Sequence, residues 1–130
     1  MSFLRKYALS ILFCIVASIG CFMDLSEVPK LAKTDLDKLI HMGFGFILSI
    51  LIFFENTSYF RKRISYTRIV MGSFLFPILF GGYIEIGQEY LTTYRTGDWM
   101  DFLYNGAGAF LGFAACLVIN GKLKITSSAQ

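Results

Sequence analysis

Four uninterrupted apolar runs constrain this chain more than any other feature. Tyr7–Met23 is broken only by Ser10 and Ser18, and Leu39–Phe54 only by His41 and Ser49. Ile69–Ile84 contains Ser73, and Phe102–Ile119 contains Asn105. Each run holds 16 to 18 residues, just under the roughly 20 that a helix needs to cross about 30 Å of hydrocarbon. A few flanking residues complete each span. Four buried helices of a soluble domain would leave almost no polar face in 130 residues. Composition agrees, with 55% hydrophobic and only 16% charged residues, against about 25% charged in an ordinary globular domain. The expectation is an all-α, integral membrane four-helix bundle forming one domain, 1–130. Its transmembrane helices are expected at about 5–24, 37–55, 67–88 and 100–120.

The net charge of +3 looks unremarkable until it is divided by loop. Arg5, Lys6, Arg61, Lys62, Arg63, Arg68, Lys122 and Lys124 fall on one side with a single acidic residue, Glu55. Lys30, Lys33, Lys38 and Arg95 fall on the other with eight carboxylates, so the sides carry +7 and −4. Basic loops stay cytoplasmic, which predicts cytoplasmic N- and C-termini. The Arg61-Lys62-Arg63 cluster is then a topology determinant beside anionic lipid, not a nucleic-acid site. The first run follows Arg5-Lys6 as a secretory signal would, and Ser18-Ile19-Gly20-Cys21 loosely resembles a lipoprotein cleavage box; an uncleaved helix is expected, because Ser18 is a poor match. Cys14, Cys21 and Cys116 are expected to pack as apolar residues, not to form a disulfide framework.

Polar residues at the ends of the runs are the candidate functional groups, since such groups are expensive at membrane depth. Asp37 and His41 are four apart and share a helix face, and Glu85 and Gln88 are three apart on another. Asp101, Asn105, Gly108 and Gly112 form a stripe on the last run, polar near the outside and small deeper down. Three helices thus bring polar groups to the same leaflet, and the polarity is expected to stop there. Thr34 with Asp37, and Asp98 with Asp101, also fit helix N-capping pairs. Gly43, Gly45, Gly108 and Gly112 are expected to permit close helix packing. Pro77 with Gly81 and Gly82 predicts a local irregularity in the third run.

The ordered pattern Asp37-Lys38-x-x-His41, Glu85-x-x-Gln88, then Arg95, Asp98, Asp101, Asn105, Gly108 and Gly112 resembles the VanZ-like family of small bacterial membrane proteins. The resemblance covers about Asp37 to Gly112. Tyr90-Leu91-Thr92-Thr93-Tyr94-Arg95 departs from it in lacking a proline often found there. The resemblance implies a bacterial cytoplasmic membrane protein, in a family named for an accessory determinant of teicoplanin resistance. It implies no defined biochemical activity.

Three functions follow as expectations. The first is an accessory antibiotic-resistance or envelope role, through an outer-leaflet pocket binding an envelope lipid, a wall-precursor head group or a glycopeptide. Lys38, His41, Glu85, Gln88, Arg95, Asp101 and Asn105 would line it, Arg95 holding a phosphate or carboxylate. The second is a membrane-embedded hydrolase or transferase using His41, Glu85 and Asp37, with His41, Glu85 and Asp101 as ligands if a metal assists. The third is oligomeric transport of an amphiphile, ranked below the others because the polar groups stop near one interface. No cofactor is expected. Membrane lipids are the expected partners, with a homo-oligomer compatible with the glycine faces.

Overall fold

The computed structural model describes residues 2–24, 30–59 and 65–119, with backbone alone for 30–34. All regular structure among them is helical. Helix α1 spans Phe3–Lys6 and α2 spans Ala8–Cys21. Helix α3 spans Lys30–Tyr59. A third long helix runs from Tyr66 to Leu91 as α4 (Tyr66–Val70), a π segment (Met71–Leu75) and α5 (Phe76–Leu91). Helix α6 spans Trp99–Ile119.

Among the described residues three helices are long and apolar enough to cross a membrane: Asp35–Tyr59, Tyr66–Leu91 and Trp99–Ile119. Helix α2 is a shorter apolar helix, joined to α1 through Tyr7, whose N–H donates to the Phe3 carbonyl and whose carbonyl accepts from Ile11 N–H. Its 14 residues rise only about 21 Å. The surface is inverted relative to a soluble bundle: Leu12, Ile15, Ile47, Leu79, Ile86, Leu103 and Val118 are exposed, while His41, Glu85, Gln88, Asp101 and Asn105 are buried. Lipid-facing side chains with polar groups turned inward are what the hydrocarbon phase requires. The protein is a membrane protein.

Between helices already in lipid there is little hydrophobic gain from association, so close approach must supply the attraction. The α3–α6 interface does this through small residues. A Cβ on Gly45 would lie 2.0 Å from the Asn105 carbonyl oxygen, one on Gly108 would lie 1.9 Å from the Met42 carbonyl oxygen, and one on Gly112 would lie 2.6 Å from the Phe46 carbonyl oxygen. Met42 meets Gly108 and Phe46 meets Gly112, so the two helices advance in parallel. Gly43 differs from the packing role expected of it, because a Cβ there meets nothing within 4 Å. Further along, Phe53, Ile69 and Cys116 close the far end of the bundle.

The irregularity expected around Pro77 lies just before it, as the π segment Met71–Leu75. Proline has no N–H for the carbonyl of Ser73 four residues earlier, and Ser49 Oγ donates to that oxygen from α3. Pro77 itself is buried, and its carbonyl accepts from Asn105 Nδ2 at 2.9 Å.

Helix α2 is held at both ends. Leu9 N–H and Ser10 N–H donate to Glu55 Oε1 at 2.9 and 3.3 Å, and Ser10 Oγ donates to Glu55 Oε2. A carboxylate there satisfies free amides and opposes the positive end of the helix dipole. At the other end the Cys21 carbonyl accepts from Gln88 Nε2 at 2.9 Å and Arg95 Nη1 at 3.1 Å, and Tyr94 OH donates to the Phe22 carbonyl at 2.7 Å. A cation and two neutral donors thus face the negative end. Glu55→Gln, which keeps the shape but loses the charge and half the acceptor capacity, is expected to lower stability by about 1–2 kcal/mol. Unfolding in mixed micelles measures this, and an unchanged midpoint would show that α2 does not depend on the contact.

The second polar cluster corrects the expectation that polarity stops near one interface. Glu55, Asn56, Ser10, Ser49 and Ser73 are all buried away from the Arg95 end. Tyr7 OH donates to Asn56 Oδ1 at 2.7 Å within it.

Candidate functional site

The candidate site lies where the start of α3, the end of α5 and the start of α6 meet. Helix α3 begins at Lys30, so Thr34 is already inside it and cannot act as its N-cap. Asp37 is therefore one turn further in than the capping reading requires, and its carboxylate serves tertiary contacts. Its Oδ2 accepts from Arg95 Nη2, and its Oδ1 lies 4.0 Å from His41 Nε2. His41 is 2% exposed. Its other ring nitrogen, Nδ1, lies 3.0 Å from Glu85 Oε1.

The start of α6 explains how Asp101 comes to face this group. Asp98 is the N-cap, accepting from Met100 N–H at 2.8 Å through Oδ1. In a capping box the residue three positions on would return a bond to the cap's own N–H. Here Glu85 of α5 does so instead, its Oε2 accepting from Asp98 N–H at 2.8 Å. Asp101 is thereby released from capping and lies buried beside Asp37 and His41. One donor atom from each of the three falls within 4.8 Å of the others.

The α5–α6 loop is folded to deliver Arg95. Thr92 Oγ1 lies 2.8 Å from the Gln88 carbonyl and 3.0 Å from the Arg95 carbonyl, and accepts from Arg95 N–H at 3.2 Å. Glu89 Oε2 accepts from Gly97 N–H at 2.9 Å. The missing proline in this loop is thus offset by side-chain bonds to its backbone.

The five residues Asp37, His41, Glu85, Arg95 and Asp101 form one cluster. Gln88 and Asn105 are spent on the Cys21 and Pro77 carbonyls, and act as braces between helices. Lys38 is partly buried on α3 beside Asp37. Glu85 sits against Nδ1 of His41 and Asp37 Oδ1 faces Nε2, while Asp101 offers an oxygen within 4.8 Å of donor atoms of both Asp37 and His41. The ligand set considered from the sequence is His41, Glu85 and Asp101, whereas the donor atoms that lie within 4.8 Å of one another belong to Asp37, His41 and Asp101.

The VanZ/LLP1 family model matches residues 3–120 of the chain. The chain belongs to the VanZ-like family. No curated protein and no solved structure shows a significant match. The first helix, which the sequence resemblance left aside, is included in the match. Within this VanZ-like fold it supplies the Cys21 carbonyl that both Gln88 and Arg95 hold.

Beside the cluster, a groove of about 760 Å³ opens between α5 and α6. Leu79, Tyr83, Ile86, Tyr90, Trp99 and Phe102 form its apolar wall, and Glu85, Glu89, Gly97 and Asp98 its polar end. Tyr90 and Trp99 are each 81% exposed, which makes them available to a partner as well as to the membrane interface. Asn105, Arg95 and Asp101 do not line it.

Two elements escaped the sequence reading. Glu55 had a visible signal, as the single acidic residue on the basic side of an apolar run. The Cys21 carbonyl had none, because a backbone acceptor is identical at every position and only the bundle decides which one is reached.

Proposed function

We propose that this VanZ-like protein binds an amphiphile of the bacterial envelope in the α5–α6 groove, and acts as an accessory protein there. The observation that carries the reading is the groove's division into an aromatic, apolar wall and a carboxylate end. An acyl chain or hydrophobic face would lie along Leu79, Tyr83 and Ile86, with the head group at Glu89 and Asp98. The charge of the lining selects the head group. Arg95 is engaged by Asp37 and the Cys21 carbonyl, so the anion-holding role expected of it is taken up internally. Carboxylates favour amine- or hydroxyl-rich heads, through charge-assisted hydrogen bonds. Envelope phospholipids bearing an amine, lipid-linked wall precursors and lipoglycopeptides such as teicoplanin all present such groups. The division of charge into +7 and −4 supports a cytoplasmic-membrane location with the groove at the extracytoplasmic face.

A catalytic reading draws support from the His41–Glu85 contact. It ranks second because the imidazole is buried, its Nε2 faces Asp37, and His41 does not line the groove. Transport ranks third, although the second polar cluster raises it. Glu55 and Ser49 there bond helix to helix.

Trp99 is the single tryptophan of the chain and lines the groove, so its emission reports occupancy directly. Titration of purified protein with phosphatidylethanolamine, a lipid-linked wall precursor or teicoplanin should give a saturable blue shift with at least one of them. Glu89→Gln should weaken that binding about tenfold, the loss of one charge-assisted hydrogen bond. No saturable change with any of the three would remove the proposal.

A further inference from the structure

We propose that Asp37, His41 and Asp101 form a binding site for one divalent first-row transition-metal ion, with Glu85 holding the histidine ring from behind. Three independent observations carry this. The first is geometry: one donor atom from each residue lies within 4.8 Å of the others, converging from α3 and α6. Donor atoms bonded to such an ion at about 2.1 Å stand roughly 3.0–3.5 Å apart, so a modest inward rotation of two carboxylates closes the site. The second is that His41 Nε2, on a side chain 2% exposed, has no hydrogen-bond partner among the described residues. Buried polar nitrogens are rarely left unpaired. This one is 4.0 Å from Asp37 Oδ1, too far for a hydrogen bond.

The third observation is charge. Asp37, Glu85 and Asp101 meet one guanidinium and one imidazole, so the carboxylates outnumber the cations whether or not His41 carries a proton. Uncompensated charge away from water is costly, and one divalent cation would balance it. The contacts are also divided in a way that suits an ion. Asp37 gives Oδ2 to Arg95 and presents Oδ1 to the site, while Glu85 caps Asp98 with Oε2 and leaves Oε1 without a hydrogen bond 3.0 Å from His41 Nδ1, placed to accept from it once the ring turns to an ion. A carboxylate on the far nitrogen of a metal-bound histidine is a recurrent arrangement that fixes the tautomer and ring orientation. One nitrogen and two carboxylates suit Zn²⁺, Mn²⁺ or Fe²⁺ better than the all-oxygen sites of Mg²⁺ and Ca²⁺. The ion would sit behind the α5–α6 groove, with Glu85 belonging to both.

The full-length protein, purified in detergent and stripped with a chelator that is then removed, is titrated with Zn²⁺ or Mn²⁺ by calorimetry and thermal unfolding. About one equivalent should bind, with a rise in Tm that excess Mg²⁺ does not reproduce. Asp101→Asn and His41→Gln should each weaken binding at least tenfold, and Glu85→Gln about 10- to 100-fold. Asp35→Asn, at an exposed position on the same helix, should bind as the parent does. Parental circular dichroism and elution volume establish that each variant is folded. Zinc-edge X-ray absorption on the parent needs no variant, and should show one imidazole among oxygen and nitrogen neighbours at about 2.0–2.1 Å. No binding by the parent, equal binding by Asp101→Asn, or a sulfur-dominated spectrum would overturn the site. Trp99 emission with lipid is read separately, so loss of either result leaves the other standing.

Discussion

Alanine at position 95 should destabilise the protein by about 3–5 kcal/mol, the range found when one partner of a buried ion pair is removed. Arg95 is 8% exposed and reaches two helices at once, through Nη2 to Asp37 on α3 and Nη1 to the Cys21 carbonyl at 3.1 Å. Its removal strands a carboxylate beside two others and frees a carbonyl at the end of α2. Lysine should recover little, because a single ammonium cannot reproduce a planar group bonded in two directions. Asp37→Asn in the Arg95→Ala background should restore part of the loss, since the stranded charge goes with it. Mixed-micelle unfolding of the four members of this cycle measures the coupling. An Arg95→Ala midpoint within experimental error of the parent would show the pair to be ornamental.

Gly108→Ala should cost about 3 kcal/mol, the upper end of the usual range for overpacking. A Cβ there would lie 1.9 Å from the Met42 carbonyl oxygen, 2.8 Å from its carbon and 3.0 Å from Phe46 N. These are backbone atoms of a long helix, which cannot rotate aside as a side chain can. The helices must separate, and the contacts at Gly45 and Gly112 weaken with them. Gly43→Ala provides the control at a position of α3 outside that contact. With nothing within 4 Å of its Cβ, it should be neutral or stabilising by up to about 1 kcal/mol from helix propensity. Equal losses at the two glycines would mean that the α3–α6 approach is not what position 108 protects.

Three of the spans were legible because hydrocarbon imposes a length and a composition on any helix that crosses it. The same rule does not say where the first apolar run divides into α1 and α2, since apolar content sets no helix end. The site residues were legible as expensive polar groups at the ends of apolar runs, but their partners were not. Spacing sets Asp37 beside His41 and offers Glu85 as acid, base or ligand; the structure adds that Glu85 lies against Nδ1 and caps α6, and that Asp37 pairs with Arg95. Spacing along one helix specifies a face. Which oxygen meets which nitrogen across three helices depends on rotation and depth, which no single run encodes. Gly43 shows the same limit, since it shares its composition signal with Gly45 but not its neighbour.

The sequence by itself determined that this is an α-helical membrane protein, that its family pattern runs through the polar residues of the last three runs, and which residue types had to be sheltered from lipid. Those properties follow from the solvent, which acts on each segment separately. Only the tertiary structure decided that Glu55 and Arg95 hold opposite ends of α2, that Glu85 replaces Asp101 in capping α6, and that Asp101 consequently joins Asp37 and His41. These are contacts between segments distant in the chain, and they exist only once the close α3–α6 approach has set the helices' rotation and depth.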